Sequence, residues 1–118
     1  MSLQPVPIQN VPGVPDYTCT AFLPKSSDYC LLIPVINEGS RILTELGRAQ
    51  KAGVDRLVDI VICDGGSTDG SMNPDTLELY GVNTLLVKTG PGKQGAQLRM
   101  GLHFALTFGY KGVLTIDG

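Results

Sequence analysis

The chain has 118 residues, 42% hydrophobic and 17% charged, with 9 basic residues against 11 acidic and a formal charge of −2. That length allows one domain at most, and the charge balance argues against a nucleic-acid binder, which would carry a clustered basic surface. No apolar run approaches the roughly 20 residues of a membrane-spanning helix, and no cationic stretch followed by an apolar block marks a secretory signal at the N-terminus.

Five of the 8 prolines fall within the first 24 residues, so residues 1–28 read as a proline-rich extended arm, irregular or extended rather than helical. From residue 29 the pattern becomes regular. "YCLLIPV" is a continuous apolar run, as expected of a strand buried on both faces. "EGSRILTELGRAQKAG" follows, with Ile42, Leu43, Leu46 and Ala49 at helical spacing and Gly53 as the stop. "VDIVICD" is a second buried strand, and "GGSTDGS" a loop. Asn73, Pro74 and Asp75 predict an N-cap, a first-turn proline and a first-turn acid, opening a short helix that ends near Gly81. "NTLLVKT" is the third strand. The next helix places Leu98, Leu102, Ala105, Leu106 and Gly109 on one stripe, expected to face the core. "GVLTID" is the fourth strand. Cys19, Cys30 and Cys63 cannot all pair with one another and show no C-x-x-C spacing. Cys30 and Cys63 lie in strand-like runs as small buried hydrophobes, and a reducing, cytosolic setting is expected.

The order β-α-β-α-β-α-β with short connections predicts an α/β fold, a Rossmann-like three-layer sandwich with a mainly parallel sheet. In such sheets ligands bind beyond the carboxyl ends of the strands. Four segments gather there: "PVINE" after the first strand, "DGGSTD" after the second, "GPGKQG" after the third and Asp117 after the fourth.

"GPGKQG" reads as G-x-G-x-x-G, with Asp117 about 20 residues beyond it, which is the layout of a dinucleotide-binding fingerprint. Its position counts against that reading, because the fingerprint normally follows the first strand of its unit and "PVINEG" lacks the glycines. Pro91 also biases Gly90 away from helical conformation. A Walker-type phosphate loop is excluded, since G-x-x-x-x-G-K-[ST] does not occur.

Taken together, "CLLIPVINEG", "DIVICDGGSTDGS", "GPGKQGAQLRMGLHFA" and "GVLTIDG" resemble the nucleotide-binding half of a family 2, GT-A-fold glycosyltransferase, in order and in spacing. The resemblance covers residues 29 to 118 and is most similar in block spacing to polyprenyl-phosphate sugar transferases. It implies a fold of the nucleotide-diphospho-sugar transferase type and a UDP- or GDP-linked sugar as donor. The implied reaction is inverting transfer to an acceptor such as a polyprenyl phosphate or a glycan. Pro34, Asn37 and Glu38 resemble the segment lining base and ribose, and Asp64 the acid that contacts them from the second strand. Lys93 and Gly95, with Arg99 beside them, resemble the loop passing near the nucleotide. Asp117 matches the first acid of the family's D-x-D motif, which implies a bound Mg²⁺ or Mn²⁺. Hard cations of this kind prefer carboxylate and phosphate oxygens and usually take one or two protein carboxylates.

Two positions depart from the pattern: Ile36 stands where many members carry an aromatic, and Gly65 where a second acid is usual. Each polar residue also has a plainer role. Asp64 could satisfy turn amides, Asp69 reads as a turn or cap residue, and Glu38 or Asn37 could serve the start of the following helix. Lys93 and Arg99 could be solvated charges, and His103, without a partner motif, is expected to be structural or exposed. The chain stops one residue after Asp117, where an α/β domain would be expected to continue, so it reads as truncated after the fourth strand. The catalytic base and acceptor site are then expected beyond Gly118, in a full-length protein that is cytoplasmic and could be membrane-associated. Self-association is anticipated from the apolar surface of an incomplete sheet. Against the glycosyltransferase stand a non-catalytic nucleotide-binding or scaffold fragment of the same fold, an NAD-binding Rossmann domain and a nucleotidyltransferase.

Overall fold

The structure is a computed structural model that describes residues 5–91 and 94–116. Lys93 and Asp117, two of the expected site residues, lie outside the described residues. In chain order the elements are β1 (Val6–Ile8), β2 (Tyr17–Ala21), β3 (Tyr29–Val35), α1 (Ser40–Lys51), α2 (Val54–Leu57), β4 (Asp59–Asp64), α3 (Pro74–Leu79), β5 (Val82–Lys88), α4 (Gln94–Thr107) and β6 (Gly112–Thr115). They form an α/β fold around one 6-stranded mixed sheet of order β1-β2-β5-β4-β3-β6, with β5, β4, β3 and β6 parallel.

Side-chain alternation along the strands builds a core on each face. Leu31, Ile33 and Val35 of β3, with Ile60 and Ile62 of β4, pack with Ile42 and Leu46 of α1 and Leu77 of α3. Cys30 and Leu32, with Val61 and Cys63, point the opposite way and pack with Met100, Phe104 and Ala105 of α4. This is why β3 and β4 read as unbroken apolar runs: both faces are covered. The predicted boundaries of α1 and α3 hold. Gly53 takes a left-handed φ of 79° after α1, and Asn73 Oδ1 accepts from the Asp75 and Thr76 amides at the start of α3.

Two features correct the sequence reading. The arm is not merely extended, since it supplies two strands. β2 pairs antiparallel with β5 over Tyr17–Ala21, and β1 pairs antiparallel with β2. "YTCTA" is a proline-free alternation between Pro15 and Pro24, with Tyr17 and Cys19 in the α4-side core. Pro7 sits in the edge strand β1, where a missing backbone donor can face away from the ladder. The buried face of α4 is the second correction. Ala96, Met100, Phe104 and Ala105 are buried, whereas Leu102 and Leu106 are exposed, so most of the expected leucine stripe looks outward. Gly101 explains the rotation. A Cβ there would lie 2.8 Å from Cys63 Sγ and 2.9 Å from Leu32 Cδ1, so the helix approaches the sheet along its small residues.

All three cysteines are free and buried on the α4 side. Burial pushes the Cys63 thiol up to about 12, which leaves it an inert hydrophobe. Among the described residues no helix is long and apolar enough to cross a membrane.

Candidate nucleotide site at the carboxyl rim

The chain runs from β3 to β4 to β5 in one direction and then returns to place β6 on the far side of β3. The winding therefore reverses between β3 and β6, and the crevice beyond their carboxyl ends is where such sheets bind ligands. A cleft of about 130 Å³ opens there, lined by Ile33, Pro34, Glu38, Arg41, Glu45 and Ile116 among others. Pro34 is buried and forms wall, while Glu38 supplies a carboxylate 3.7 Å from the Arg41 guanidinium. Ile116 is the residue directly before Asp117. The volume is below the roughly 300–1,000 Å³ of ordinary ligand clefts, so it accommodates one portion of a nucleotide rather than the whole. Two acids and one arginine suit the hydroxyl and N–H donors of a ribose or base better than its phosphates.

Beside the cleft, the loops after β3 and β4 are knitted together. Asn37 has φ 46° and is exposed; its amide donates to Ser67 Oγ at 2.9 Å, and its Oδ1 accepts from the Thr68 amide at 2.8 Å. Ser67 Oγ in turn donates to Asp64 Oδ1 at 2.6 Å, and the Ser67 amide approaches both Asp64 oxygens. Asp64 is only 1% exposed, so its carboxylate acts within this structure as the anchor of the turn. Asp69 takes the plainer role expected of it: it accepts from the Ser71 side chain and amide, and from the Gly39 amide at the entry to α1. Those bonds, Ser71 first, hold its carboxyl below the usual value.

The third segment is organised differently. The Thr89 and Gly90 amides donate to Asp16 O at 2.8 and 2.9 Å, and a Cβ on Gly90 would meet the Asp16 nitrogen at 2.8 Å. Contact with the arm therefore suffices to require this glycine. Arg99 donates from Nε to Gly13 O at 2.9 Å, away from the Asn37–Asp64 assembly, and Gly95 is exposed in the first turn of α4. The structure thus brings Pro34, Glu38, Asn37 and Asp64 to one rim and ties Arg99 to the arm. His103 is structural, its Nδ1 sitting 2.6 Å from the Tyr17 hydroxyl.

Gln97 was not foreseen. It is buried, and its Nε2 donates to Val35 O at 2.8 Å and Cys63 O at 2.9 Å, bridging the carboxyl ends of β3 and β4 from α4. A Cβ on Gly65 would lie 3.0 Å from the end of this side chain, so any residue larger than glycine there requires the Gln97 amide to shift. A glutamine inside "AQLRMG" carries no signal of such a role; only the packing of α4 reveals it. Gln97→Met, which keeps the volume and removes both bonds, is expected to cost about 1–3 kcal/mol in urea denaturation.

Among the described residues no three His, Cys, Asp or Glu side chains gather to hold a metal ion. Compared with protein-family models, with curated proteins and with solved structures, the chain finds no match.

Proposed function

We propose that this chain is the nucleotide-sugar-binding part of a GT-A, family 2-like glycosyltransferase. The observation that carries the reading is the cleft at the β3–β6 reversal, walled by Pro34 and Glu38 and ending at the residue before Asp117. In this reading Glu38 accepts hydrogen bonds from the base or ribose of a UDP- or GDP-linked sugar. Asn37, Ser67 and Asp64 hold the loop that carries it. Asp117 is a hard oxygen donor of the kind that Mg²⁺ or Mn²⁺ takes, and in this reading it would hold such an ion. Such an ion, when bound, would neutralise the leaving diphosphate. In this reading the acceptor is a polyprenyl phosphate or a glycan.

A specific observation favours a second reading, a non-catalytic scaffold of the same fold: the Asp64 carboxylate is already taken up by Ser67. Calorimetric titration with UDP, GDP and NAD, each with and without Mn²⁺, separates the readings. Metal-dependent binding of UDP or GDP is expected, weakened at least tenfold, or about 1.4 kcal/mol, in Asp117→Ala and in Glu38→Gln. Binding of NAD without metal would overturn the proposal, and silence from all three ligands in folded protein would favour the scaffold.

A further inference from the structure

The two edges of the sheet are guarded differently. β1 is short and carries Pro7, a residue that blocks further pairing. β6, at the other edge, has neither proline nor charge over Gly112–Thr115, and Val113, Thr115 and Ile116 are β-branched residues suited to a ladder. Among the described residues nothing pairs with its outer side.

That outer side has a definite hydrogen-bonding pattern. β6 runs parallel to β3, and the Ile116 amide donates to Leu32 O at 3.4 Å. Main-chain groups alternate along a strand, so Gly112 and Leu114 also turn theirs toward β3, while Val113 and Thr115 turn theirs outward. Gly112 and Leu114 pair with Tyr29 and Leu31, which places Gly112, Leu114 and Ile116 on the α1 face of the sheet. On that face Tyr29, Leu114 and Ile116 are 50%, 53% and 43% exposed.

The strand is complementary to itself. Antiparallel pairing of two copies about Leu114 sets Val113 opposite the partner's Thr115, so the outward N–H and C=O groups of each bond one another. Leu114 meets its own copy on the two-fold axis. Gly112 comes opposite the partner's Ile116, with the Tyr29 ring beside them, since a Cβ on Gly112 would lie 2.9 Å from that ring. Charge matches as well. Lys25 and Lys111 share the Asp28 carboxylate, at 3.7 and 3.6 Å, which leaves one positive charge in excess at the amino end of β6. An acid, Asp117, follows the carboxyl end in the sequence. The register about Leu114 brings Lys111 opposite the partner's Asp117, and moving the centre to Val113 or Thr115 loses that match.

We infer that the β6 edge is the contact between two copies of this chain, joined antiparallel about Leu114 into one continuous sheet. Such a contact is isologous and closes as a two-fold dimer. It shares Ile116 with the rim cleft but does not rest on the nucleotide reading, and its test contains neither nucleotide nor metal.

Sedimentation equilibrium of the chain at low ionic strength, across a range of concentrations, tests it. A monomer–dimer equilibrium is expected with Kd on the order of 10–100 µM, as suits a small interface. Thr115→Pro removes an outward N–H and leaves the β3 ladder intact, and should weaken the dimer at least tenfold. Leu114→Lys, at an exposed position, sets like charges on the axis and should do the same. Lys111→Asp should weaken it severalfold, and the exchange Lys111→Asp with Asp117→Lys should restore it to within about twofold of wild type. Val6→Lys, on the guarded edge, should leave it within about twofold. Thermal unfolding confirms that each variant is folded. A monomer at every concentration would mean that something other than a second copy covers this edge. That result, a dimer indifferent to Thr115→Pro and Leu114→Lys, one lost in Val6→Lys, or no rescue by the charge exchange would each overturn the assignment.

Discussion

Asp59→Ala is expected to lower the stability of this chain by about 3–5 kcal/mol, a large part of the roughly 5–15 kcal/mol that holds a domain together. Asp59 opens β4 at the amino end of the sheet and is 2% exposed. Its two oxygens collect donors from two segments distant in sequence, the loop before β3 and the segment after α4. Ser26 donates from its amide at 2.9 Å and its hydroxyl at 2.6 Å, Ser27 from its amide at 3.4 Å, and the Tyr110 hydroxyl at 2.7 Å. Truncation leaves the Tyr110 hydroxyl and the Ser26 amide without an acceptor, each costing about 1–3 kcal/mol, and unties the loop before β3 from the segment after α4. Asp59→Asn should recover only part of the loss, since it keeps one acceptor oxygen and turns a donor toward donors. Urea denaturation of the three proteins measures this series, and equal stability of wild type and Asp59→Ala would refute the anchoring role.

The same carboxylate gives the pH dependence a definite sign. Burial pushes its pKa up, but the hydrogen bonds from Ser26, Tyr110 and Ser27 outweigh that, so it sits below the usual 3.8. The folded state thus binds this proton less readily than the unfolded chain. Its stabilisation is fully present above the unfolded pKa and is lost as pH falls through the lower folded value. Wild type should therefore lose stability more steeply than Asp59→Asn below about pH 4, and the two should run parallel from pH 5 to 7. The Tyr110 hydroxyl is raised, by burial first and then by the bond to Asp59, and so remains a donor throughout that range.

Gly101→Val is expected to cost about 3 kcal/mol or more, although it removes a glycine from the middle of a helix. Two effects oppose one another. Replacing glycine with alanine in a helix normally gains about 1 kcal/mol. Here a Cβ would stand 2.8 Å from Cys63 Sγ and 2.9 Å from Leu32 Cδ1, both in a fully buried layer, and overpacking of that kind costs about 1–3 kcal/mol. Alanine should therefore come out mildly destabilising, by about 1 kcal/mol, and valine, with two further methyls aimed at β3 and β4, clearly so. Gly95→Ala supplies the opposite sign in the same helix. Its Cβ would meet only Arg99 Nη1, at 3.5 Å, so it should be neutral or stabilising by up to about 1 kcal/mol. Thermal unfolding of the three variants reads the contrast. A stabilised Gly101→Val would mean that α4 does not lie this close to the sheet.

The succession of β3, α1, β4, α3, β5, α4 and β6 was legible in the residues alone, because each of those segments carries a local signal: unbroken apolar strands, helical spacing in α1, Asn73 ahead of Pro74, and Gly53 after α1. So was the gathering of Pro34, Asn37, Glu38 and Asp64 at one rim, which follows from parallel strands that all end the same way. What tertiary structure alone decided are the features that depend on a neighbour distant in sequence. β2 is a strand because β5 offers it an edge, and the prolines around it hide that alternation. The buried face of α4 is set by where Gly101 lets it approach β3 and β4, so the larger leucines, which dominate any reading by hydrophobicity, end up outside. Arg99 is drawn to Gly13, Gln97 to two strand ends, and Asp64 to Ser67 by contacts that no local window contains. Periodicity reports what a segment can bury; only the packed neighbours determine which face is buried and which polar groups are left for a ligand.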